Sequence, residues 1–329
     1  MRLSQLGERW AVAALSRGLY SAASLTVLPG LDDAAAIRHR NSQLVMTSDI
    51  MFAPTHFPAG MKPGEIGRKV AIANISDLAA MGAEPLALLV AFGLPPSSEL
   101  DYALRISSGI SSACREYKCS FAGGDTKRAD VLTLCGSALG FCEDEAELLR
   151  RSNALPGDII CLTGNVGDSY CGCQVLLGKA KGKLDKRLSE KLIRAFTRPH
   201  ARIKEGRALA KLRCGIAAMD ITDGLFCSAM ELMRASGCGF EINSSLIPFS
   251  AEAKRFAHLQ QHASPVRLLE WGEDYELLVS VRKKDFEKAG KAARAAGGKL
   301  VAIGEAVDEK RVYLDGEPVD VRGYDSFRQ

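Results

Sequence analysis

The stretch that decides the fold is VAIANISDLAAMGAEP, residues Val70 to Pro85. It predicts a helix that ends at Gly82, because glycine commonly follows a last helical turn and the closing proline prevents continuation. Only Asn74, Ser76 and Asp77 interrupt its apolar surface, and a helix that is apolar on all sides is normally buried. A buried carboxylate is unfavourable without a cation or hydrogen-bond donors. Asp77 is therefore either a cap or arginine partner, or part of a functional site.

The composition indicates an ordinary soluble protein with a substantial core. Of the 329 residues, 47% are hydrophobic and 25% are charged, and the length predicts two domains. The net charge of +4, without a basic run, argues against a nucleic-acid partner. Ten scattered cysteines without a CxxC pair favour reduced thiols over disulfides or a zinc site. The sequence predicts neither a signal peptide nor a membrane span, so we expect a cytoplasmic protein.

Acidic residues recur beside glycine, serine or threonine at the predicted ends of strands, where functional groups are usually displayed. One such corner is often only a solvated turn. Together with Asp77, their number favours convergence on one site. The corners are Asp32-Asp33, Ser48-Asp49, Gly124-Asp125, Asp220 with Thr222-Asp223, and Glu273-Asp274.

The oxygen atoms at these corners are hard ligands suited to Mg²⁺, which keeps several waters and bridges to substrate phosphates. Converging carboxylates repel one another unless cations hold them together. The residues therefore predict a site with several Mg²⁺ ions that handles a polyphosphate. The P-loop pattern GxxxxGKS/T and the protein-kinase loop motifs are absent from the sequence, so nucleotide chemistry would use another fold.

Three other segments allow two interpretations each. Arg150 and Arg151 are surface residues by default, but a guanidinium pair also suits phosphate oxygens. The loop from Gly164 to Ser169 precedes a predicted helix and is able to hold an anion there, although many such loops are only turns. His56 is more often a packed loop residue than a ligand.

Strands and helices are predicted to alternate along the chain. The charged segment Glu143–Asn153 marks the expected junction between an N-terminal domain, residues 1–143, and a C-terminal domain, residues 150–329. The clearest local predictions are a helix over Leu3–Leu19, a strand over Leu86–Leu94, a helix over Glu99–Tyr117 and a hairpin over Leu314–Glu317.

In order and wording, the motifs resemble those of thiamine-monophosphate kinases, in the superfamily of aminoimidazole ribonucleotide synthetase, selenophosphate synthetase and a hydrogenase-maturation protein. The resemblance covers nearly the whole chain. SDLAAMGA and GGDT occur across the superfamily, whereas THF, GEDYEL and GYDSF together are more specific to the kinase branch. The segments that carry it are LDDAAAI, TSDIMFAPTHF, IGRKVAIANISDLAAMGAEP, GGDT, LLRRSNALPGDIICLTGNVGDS, MDITDGL, GEDYELL and GYDSF.

The resemblance implies an α/β (α+β) fold with two domains, like that of aminoimidazole ribonucleotide synthetase. The N-terminal domain would form a β-barrel-like interface in a homodimer, and the C-terminal α/β domain would complete the substrate site. It also implies direct transfer of the γ-phosphoryl group of ATP to thiamine monophosphate, giving thiamine diphosphate. The acceptor phosphate is already ionised at neutral pH, so metal ions and positioning matter more than a general base.

The resemblance also implies roles for individual residues. Mg²⁺ would be held by Asp32, Thr47, Ser48, Asp49, Asp77, Asp125, Asp220 and Asp223. ATP would lie against Gly124, Asp125, Arg151 and Thr222. Thiamine monophosphate would contact His56, Glu273 and Tyr324, since a cationic thiazolium suits both a carboxylate and a π-face. Direct catalytic roles would fall to Asp49, Asp125, Arg151 and Asp220.

The chain departs from the family pattern at the Asp32-Asp33 turn, where Leu31 replaces the usual glycine and Gly30 lies one residue earlier. Two rival functions stay open. One is another superfamily enzyme, either aminoimidazole ribonucleotide synthetase or the hydrogenase-maturation dehydratase. The dehydratase typically ends in a reactive cysteine, whereas the last cysteine here is Cys238. The other is a non-catalytic nucleotide-binding paralogue.

Overall fold

The computed structural model describes residues 2–16, 19–28, 30–262, 264–319 and 327. Two seven-stranded mixed sheets, each packed against helices, make up the α/β fold. The helices of the described ranges are α1 (Leu3–Leu6), α2 (Glu8–Leu15), α3 (Pro63–Ala80), α4 (Leu100–Glu116), α5 (Asp168–Leu176), α6 (Lys186–Thr197), α7 (Ile203–Ala210), α8 (Leu225–Ser236), α9 (Ala251–Leu259) and α10 (Phe286–Ala295).

The strands follow the same chain order. They are β1 (Leu25–Val27), β2 (Ala35–His39), β3 (Ser42–Phe52), β4 (Glu84–Leu94), β5 (Ser120–Gly123), β6 (Thr126–Arg128), β7 (Thr133–Cys142), β8 (Ile159–Leu162), β9 (Ala217–Asp220), β10 (Gly239–Ile242), β11 (Leu277–Val281), β12 (Val301–Val307), β13 (Val312–Leu314) and β14 (Glu317–Pro318). Short 3-10 helices lie at Glu145–Glu147, Arg151–Asn153, Ser244–Leu246, Pro265–Glu270 and Lys283–Asp285.

The first sheet has the order β1-β2-β3-β7-β4-β5, with β6 also pairing with β4. Its long central strands are antiparallel, whereas β5 and β6 run parallel to β4. Because side chains alternate along a strand, β3 presents Thr47 and Asp49 to one face of the sheet and Met46, Ser48 and Ile50 to the other. Helix α3 packs against the first of these faces.

Helix α3 is the centre of the molecule, as its apolar sequence predicts. Every residue from Lys69 to Ala80 is buried, and the helix starts with a proline in its first turn. Its neighbours approach closely: a Cβ on Gly67 would lie 2.0 Å from a carbonyl of α4, and a Cβ on Gly206 of α7 would lie 2.2 Å from Ala79 O. The predicted end is confirmed, since Gly82 follows the helix with φ +71°.

The second sheet has the order β14-β13-β10-β12-β8-β11-β9, antiparallel except between β10 and β13. Strand β9 ends at Asp220 and packs against α3. The GEDYEL segment leads into the neighbouring strand β11, which pairs with β9. The predicted hairpin near the C-terminal end is confirmed between β13 and β14. Asp315 and Gly316 both have positive φ there, as a tight two-residue hairpin turn requires.

The local predictions differ from the structure mainly at the N-terminus. The single helix predicted over Leu3–Leu19 is wrong, because Gly7 adopts φ +83° and separates α1 from α2, which ends at Leu15. The predictions for β4 and α4 are confirmed to within two residues at each end. In the described ranges, none of the helices has both the length and the apolar content needed to span a membrane.

Candidate active site

Three carboxylates meet where the first sheet, α3 and the second sheet come together. Asp33, Asp77 and Asp220 each offer an oxygen atom, and these atoms lie within 4.8 Å of one another. Each arrives from a different element: the turn before β2, the last turn of α3 and the end of β9. We call these three residues the carboxylate cluster. Segments that are far apart in the sequence therefore converge on one point.

Two hydroxyl groups donate hydrogen bonds to the carboxylate cluster. Thr47 Oγ1 lies 2.5 Å from Asp77 Oδ2, and Ser76 Oγ lies 2.5 Å from Asp220 Oδ2. Burial, followed by the charges of nearby aspartates, raises the pKa of both Asp77 and Asp220 well above the usual value. Buried like charges of this kind call for a cation. The set of hard oxygen donors fits Mg²⁺.

Asp33 is not among the metal ligands predicted from the sequence, which named its neighbour Asp32. The Asp32 carboxylate instead accepts the backbone N–H of Arg151 at 3.2 and 3.3 Å. Burial and the charge of Asp33 raise the pKa of Asp32 to about 7. The departure at Leu31 leaves the turn intact, because Gly30 adopts the left-handed φ of +74° and the Leu31 side chain is exposed. The two adjacent acids in the sequence indicated this turn, but they did not indicate which of the two faces the cluster.

Arg151 lies against the carboxylate cluster. Its Nη2 is 2.6 Å from Asp33 Oδ1 and its Nε is 3.2 Å from Asp33 Oδ2, and the side chain is only 13% exposed. The surface interpretation is therefore wrong for Arg151. Arg150 points elsewhere and pairs with Glu145 at 2.6 Å. A planar cation beside a predicted metal site is well placed for phosphate oxygens.

A cavity of about 410 Å³ opens beside the cluster. Asp77 belongs to both the cluster and the cavity wall. Asp49 also faces the cavity, and burial followed by the charge of Asp33 raises its pKa to about 6. The other residues with predicted roles that line this cavity are His56, Thr222, Asp223 and Glu273.

His56 and Glu273 lie at the same end of the cavity. The backbone N–H of Phe52 donates to Nδ1 of His56 at 3.2 Å, and burial lowers the histidine pKa. The lowered pKa favours the neutral ring near pH 7. Nδ1 also lies 3.3 Å from the backbone oxygen of Phe52. Glu273 adopts φ +64°, and its backbone N–H donates to Thr222 O at 2.7 Å. The GEDYEL loop is thus held in an uncommon conformation that aims a carboxylate at the cavity.

Ser48 does not join the carboxylate cluster, contrary to the predicted role of its hydroxyl group. It lies on the opposite face of β3, where Oγ donates to Gly136 O at 2.8 Å and lies 2.9 Å from Ser137 Oγ. The alternation of side chains along the strand forces this, since Thr47 and Asp49 point inward.

Gly124 and Asp125 are exposed between β5 and β6 and do not line the cavity. Asp125 Oδ1 accepts the backbone N–H of Thr126 at 2.8 Å. Gly124 has no room for a side chain, because a Cβ would lie 1.8 Å from Val90 O. The single chain therefore does not bring Asp125 to the carboxylate cluster. Tyr324 lies outside the described residues.

The glycine loop before α5 does not offer a free anion site. Asp274 Oδ2 accepts the N–H of Gly167 at 2.9 Å, and its Oδ1 accepts the N–H of Ser169 at 3.3 Å. Burial raises the pKa of Asp274 to about 8. The Asp274 side chain therefore occupies this helix N-terminus and accepts the N–H groups that an external anion would use.

Two residues without a predicted role also reach this region. Trp271 lines the cavity and its ring lies 6.3 Å from that of Tyr170. Lys69 is fully buried behind Glu273. A lysine inside α3, directly before its apolar stretch, is a detectable signal, because such a buried charge must have a partner.

Comparison with known proteins identifies the family. Residues 31–142 match the family model described as AIR synthase related protein, N-terminal domain, and residues 156–317 match the C-terminal domain. The chain is 34% identical over 291 residues to thiamine-monophosphate kinase of Pyrococcus abyssi, covering 85% of this chain and 88% of the relative. It is 33% identical over 306 residues to the Escherichia coli K12 enzyme of that name, covering 90% of each. The chain belongs to the thiamine-monophosphate kinase family.

Solved structures of thiamine-monophosphate kinases share this architecture. AaThiL complexed with AMPPCP and TMP matches with a TM-score of 0.86 and 29% identity over 99% of both chains. Thiamine monophosphate kinase from Aquifex aeolicus matches with a TM-score of 0.81, covering 97% of this chain and 99% of that one. Escherichia coli HypE, a hydrogenase maturation protein, shares the fold at 21% identity and a TM-score of 0.65. The predicted superfamily fold is thereby confirmed, and the barrel-like interface stays a prediction.

Proposed function

We propose that this chain transfers the γ-phosphoryl group of ATP to thiamine monophosphate. The observation that carries the proposal is the carboxylate cluster, which opens through Asp77 into a substrate-sized cavity. The relatives that match most of the chain are thiamine-monophosphate kinases, and AaThiL has been solved with AMPPCP and TMP. The products are thiamine diphosphate and ADP.

The reaction is a single displacement at phosphorus. A phosphate oxygen of thiamine monophosphate forms a bond to the γ-phosphorus of ATP, while the bond from that phosphorus to the β,γ-bridging oxygen breaks. The bonding electron pair leaves with ADP. The attacking oxygen is already ionised, so no side chain has to remove a proton, and the two polyanions must instead be brought into line.

The carboxylate cluster and Asp49 are the residues that would hold Mg²⁺. The fit rests on their close oxygen atoms. For Asp49, Asp77 and Asp220 it also rests on raised pKa values, which burial causes first and the charges of neighbouring aspartates second. Bound Mg²⁺ supplies neutralisation of phosphate charge. We further propose that Asp32, Thr47, Asp125 and Asp223 support these ions.

The remaining polar groups divide between the two substrates. Arg151 keeps a fixed cation beside the cluster, where it is able to contact phosphoryl oxygens as charge moves. Thr222, Gly124 and Asp125 are proposed to lie against ATP. His56 and Glu273 mark the end of the cavity that would take the thiamine moiety, and the predicted contact with Tyr324 stays a prediction.

We propose that the protein forms a homodimer through the outer face of the first sheet. Large apolar side chains are exposed there, with Met46 at 38%, Ile50 at 59% and Leu89 at 48%. They surround Ser48 and its partner Ser137 on adjacent strands. An apolar face of this kind is suited to covering by a second copy.

The ten free cysteines support a cytoplasmic location, where thiols stay reduced.

The direct test incubates purified protein with ATP, Mg²⁺ and thiamine monophosphate and separates the products by chromatography. Thiamine diphosphate formed in step with ADP is the expected result. A parallel reaction contains formylglycinamidine ribonucleotide in place of thiamine monophosphate. ADP formed only in that reaction would move the chain to the purine branch, and ATP binding without turnover would indicate a non-catalytic paralogue.

A further inference from the structure

Lys69 is a buried cation that joins α3 to the loops at the substrate end of the cavity. Its side chain has no exposed surface. Its Nζ lies 2.8 Å from Oε1 and 2.9 Å from Oε2 of Glu273. It also donates to the backbone carbonyl of His56 at 2.9 Å and lies 4.0 Å from the ring centre of Phe196. One ammonium group therefore touches both predicted substrate-binding segments.

These contacts fully account for the lysine. An ammonium group has three donors, and the Glu273 carboxylate and the His56 carbonyl are their acceptors. The face of Phe196, from α6, adds a favourable aromatic contact. A buried charge is tolerated when it is paired in this way, and removing one partner strands the other. Lys69 and Glu273 are thus a unit.

The pairing changes what Glu273 offers to a ligand. Its side chain is 17% exposed, so part of the carboxylate still faces the cavity. Because Lys69 already balances its charge, the pair is neutral overall and is a weak partner for a cationic ring. The carboxylate oxygens retain lone pairs and still accept hydrogen bonds. The left-handed backbone at Glu273 and the two contacts with Lys69 hold the carboxylate in place.

We propose that Lys69 is a positioning residue that holds Glu273 and the His56 loop so that Glu273 accepts a hydrogen bond from the substrate's amino group. The inference rests on the proposed function. Thiamine monophosphate carries two recognisable groups: a thiazolium cation and a pyrimidine with an exocyclic amine. A charge-neutral ion pair whose carboxylate oxygens still have lone pairs to accept a hydrogen bond matches the amine. This replaces the expectation that Glu273 serves as a counter-ion to the thiazolium.

The first test needs no variant. Oxythiamine monophosphate keeps the thiazolium and the phosphate but has a carbonyl oxygen in place of the exocyclic amine. If Glu273 accepts a hydrogen bond from the amine, kcat/KM of the intact protein should be at least about tenfold higher for thiamine monophosphate than for oxythiamine monophosphate. Equal kcat/KM values for the two compounds would overturn the proposal. Absence of any thiamine diphosphate would instead sink the proposed function, so the two failures are distinguishable.

The second test compares Lys69→Met with Lys62→Met. Lys62 is an exposed lysine that precedes the same helix and serves as the matched control. For folded Lys69→Met protein, we expect the KM for thiamine monophosphate to rise at least about tenfold while the KM for ATP stays within about twofold. The preference over oxythiamine monophosphate should also fall. A purely structural role would lower the active fraction and leave both KM values unchanged, and that result would contradict the proposal.

Discussion

Arg151 donates hydrogen bonds from two guanidinium nitrogen atoms to the carboxylate of Asp33, although 118 positions separate the residues in the chain. Nη2 lies 2.6 Å from Oδ1 and Nε lies 3.2 Å from Oδ2. The backbone N–H of the same arginine donates to Asp32. A two-point contact fixes the plane of the guanidinium as well as its position. The carboxylate cluster therefore carries one permanent cation of its own, which enters from the segment that links the two sheets.

Replacing Arg151 with methionine should lower kcat/KM strongly and the melting temperature only slightly. The change removes the fixed cation and leaves Asp33 without its partner, so we expect kcat/KM to fall at least about 100-fold. Steady-state kinetics and thermal melts on the same preparations measure the two effects. Arg150→Met is the matched control, because Arg150 contacts only Glu145 among the described acids. Similar losses in the two variants would contradict the special role of Arg151.

Asp77→Asn should separate metal binding from folding. In EDTA the variant should be at least as stable as the parent, because it no longer buries a carboxylate that neighbouring aspartates also repel. Mg²⁺ should raise the melting temperature of the parent protein but raise that of the variant much less, since a ligand stabilises the state that binds it. Turnover should fall at least about 100-fold. Asp101→Asn, at an exposed ion pair on α4, is the control and should keep the full Mg²⁺ response.

The metal-free protein should lose stability as the pH rises from about 4 to about 7. Burial raises the pKa of Asp32 to about 7 and that of Asp49 to about 6, from an ordinary value of 3.8. In that interval the folded protein holds protons that the unfolded chain has released, so the free energy of unfolding decreases with pH and levels off above it. Chemical denaturation in EDTA across this range measures the slope. Asp32→Asn should flatten it, and a steeper slope in that variant would refute the assignment.

Features set by neighbouring residues could be predicted from the sequence, whereas features set by packing between distant segments could not. Helix α3 and the Asp315-Gly316 hairpin were predictable because an apolar run, a following glycine and turn residues act within a few positions. Whether Asp32 or Asp33 faces the carboxylate cluster depends on which of the two carboxylates the guanidinium of the distant Arg151 binds. The burial of Lys69 depends on Glu273, some two hundred residues away. Such pairings are set by packing between the sheets, and residue type alone does not reveal them.

A charge on the outer face of the first sheet should prevent the proposed dimer. Leu89→Glu places a carboxylate in the middle of the exposed apolar face of β4, where covering by a second copy would bury it without a partner. Light scattering coupled to size-exclusion chromatography should show the mass of two chains for the parent and of one chain for the variant. Leu104→Glu, at a leucine of α4 that is 58% exposed, should stay dimeric. A monomeric parent protein would rule out the interface.

Asp125 is an exposed residue with a proposed role in catalysis, so its substitution should affect activity and leave stability unchanged. Its side chain is 66% exposed, and its carboxylate lies 3.9 Å from Lys127, so substitution by asparagine removes only a weak surface interaction. Melting temperatures of Asp125→Asn and of the parent in EDTA should therefore agree closely. If Asp125 supports Mg²⁺ and ATP as proposed, the same variant should lose at least about 100-fold in kcat. Asp130→Asn alters another exposed aspartate a few residues further on and should keep full activity. Full activity in Asp125→Asn would remove the GGDT turn from the catalytic site and leave the carboxylate cluster, Asp49 and Arg151 as its essential groups.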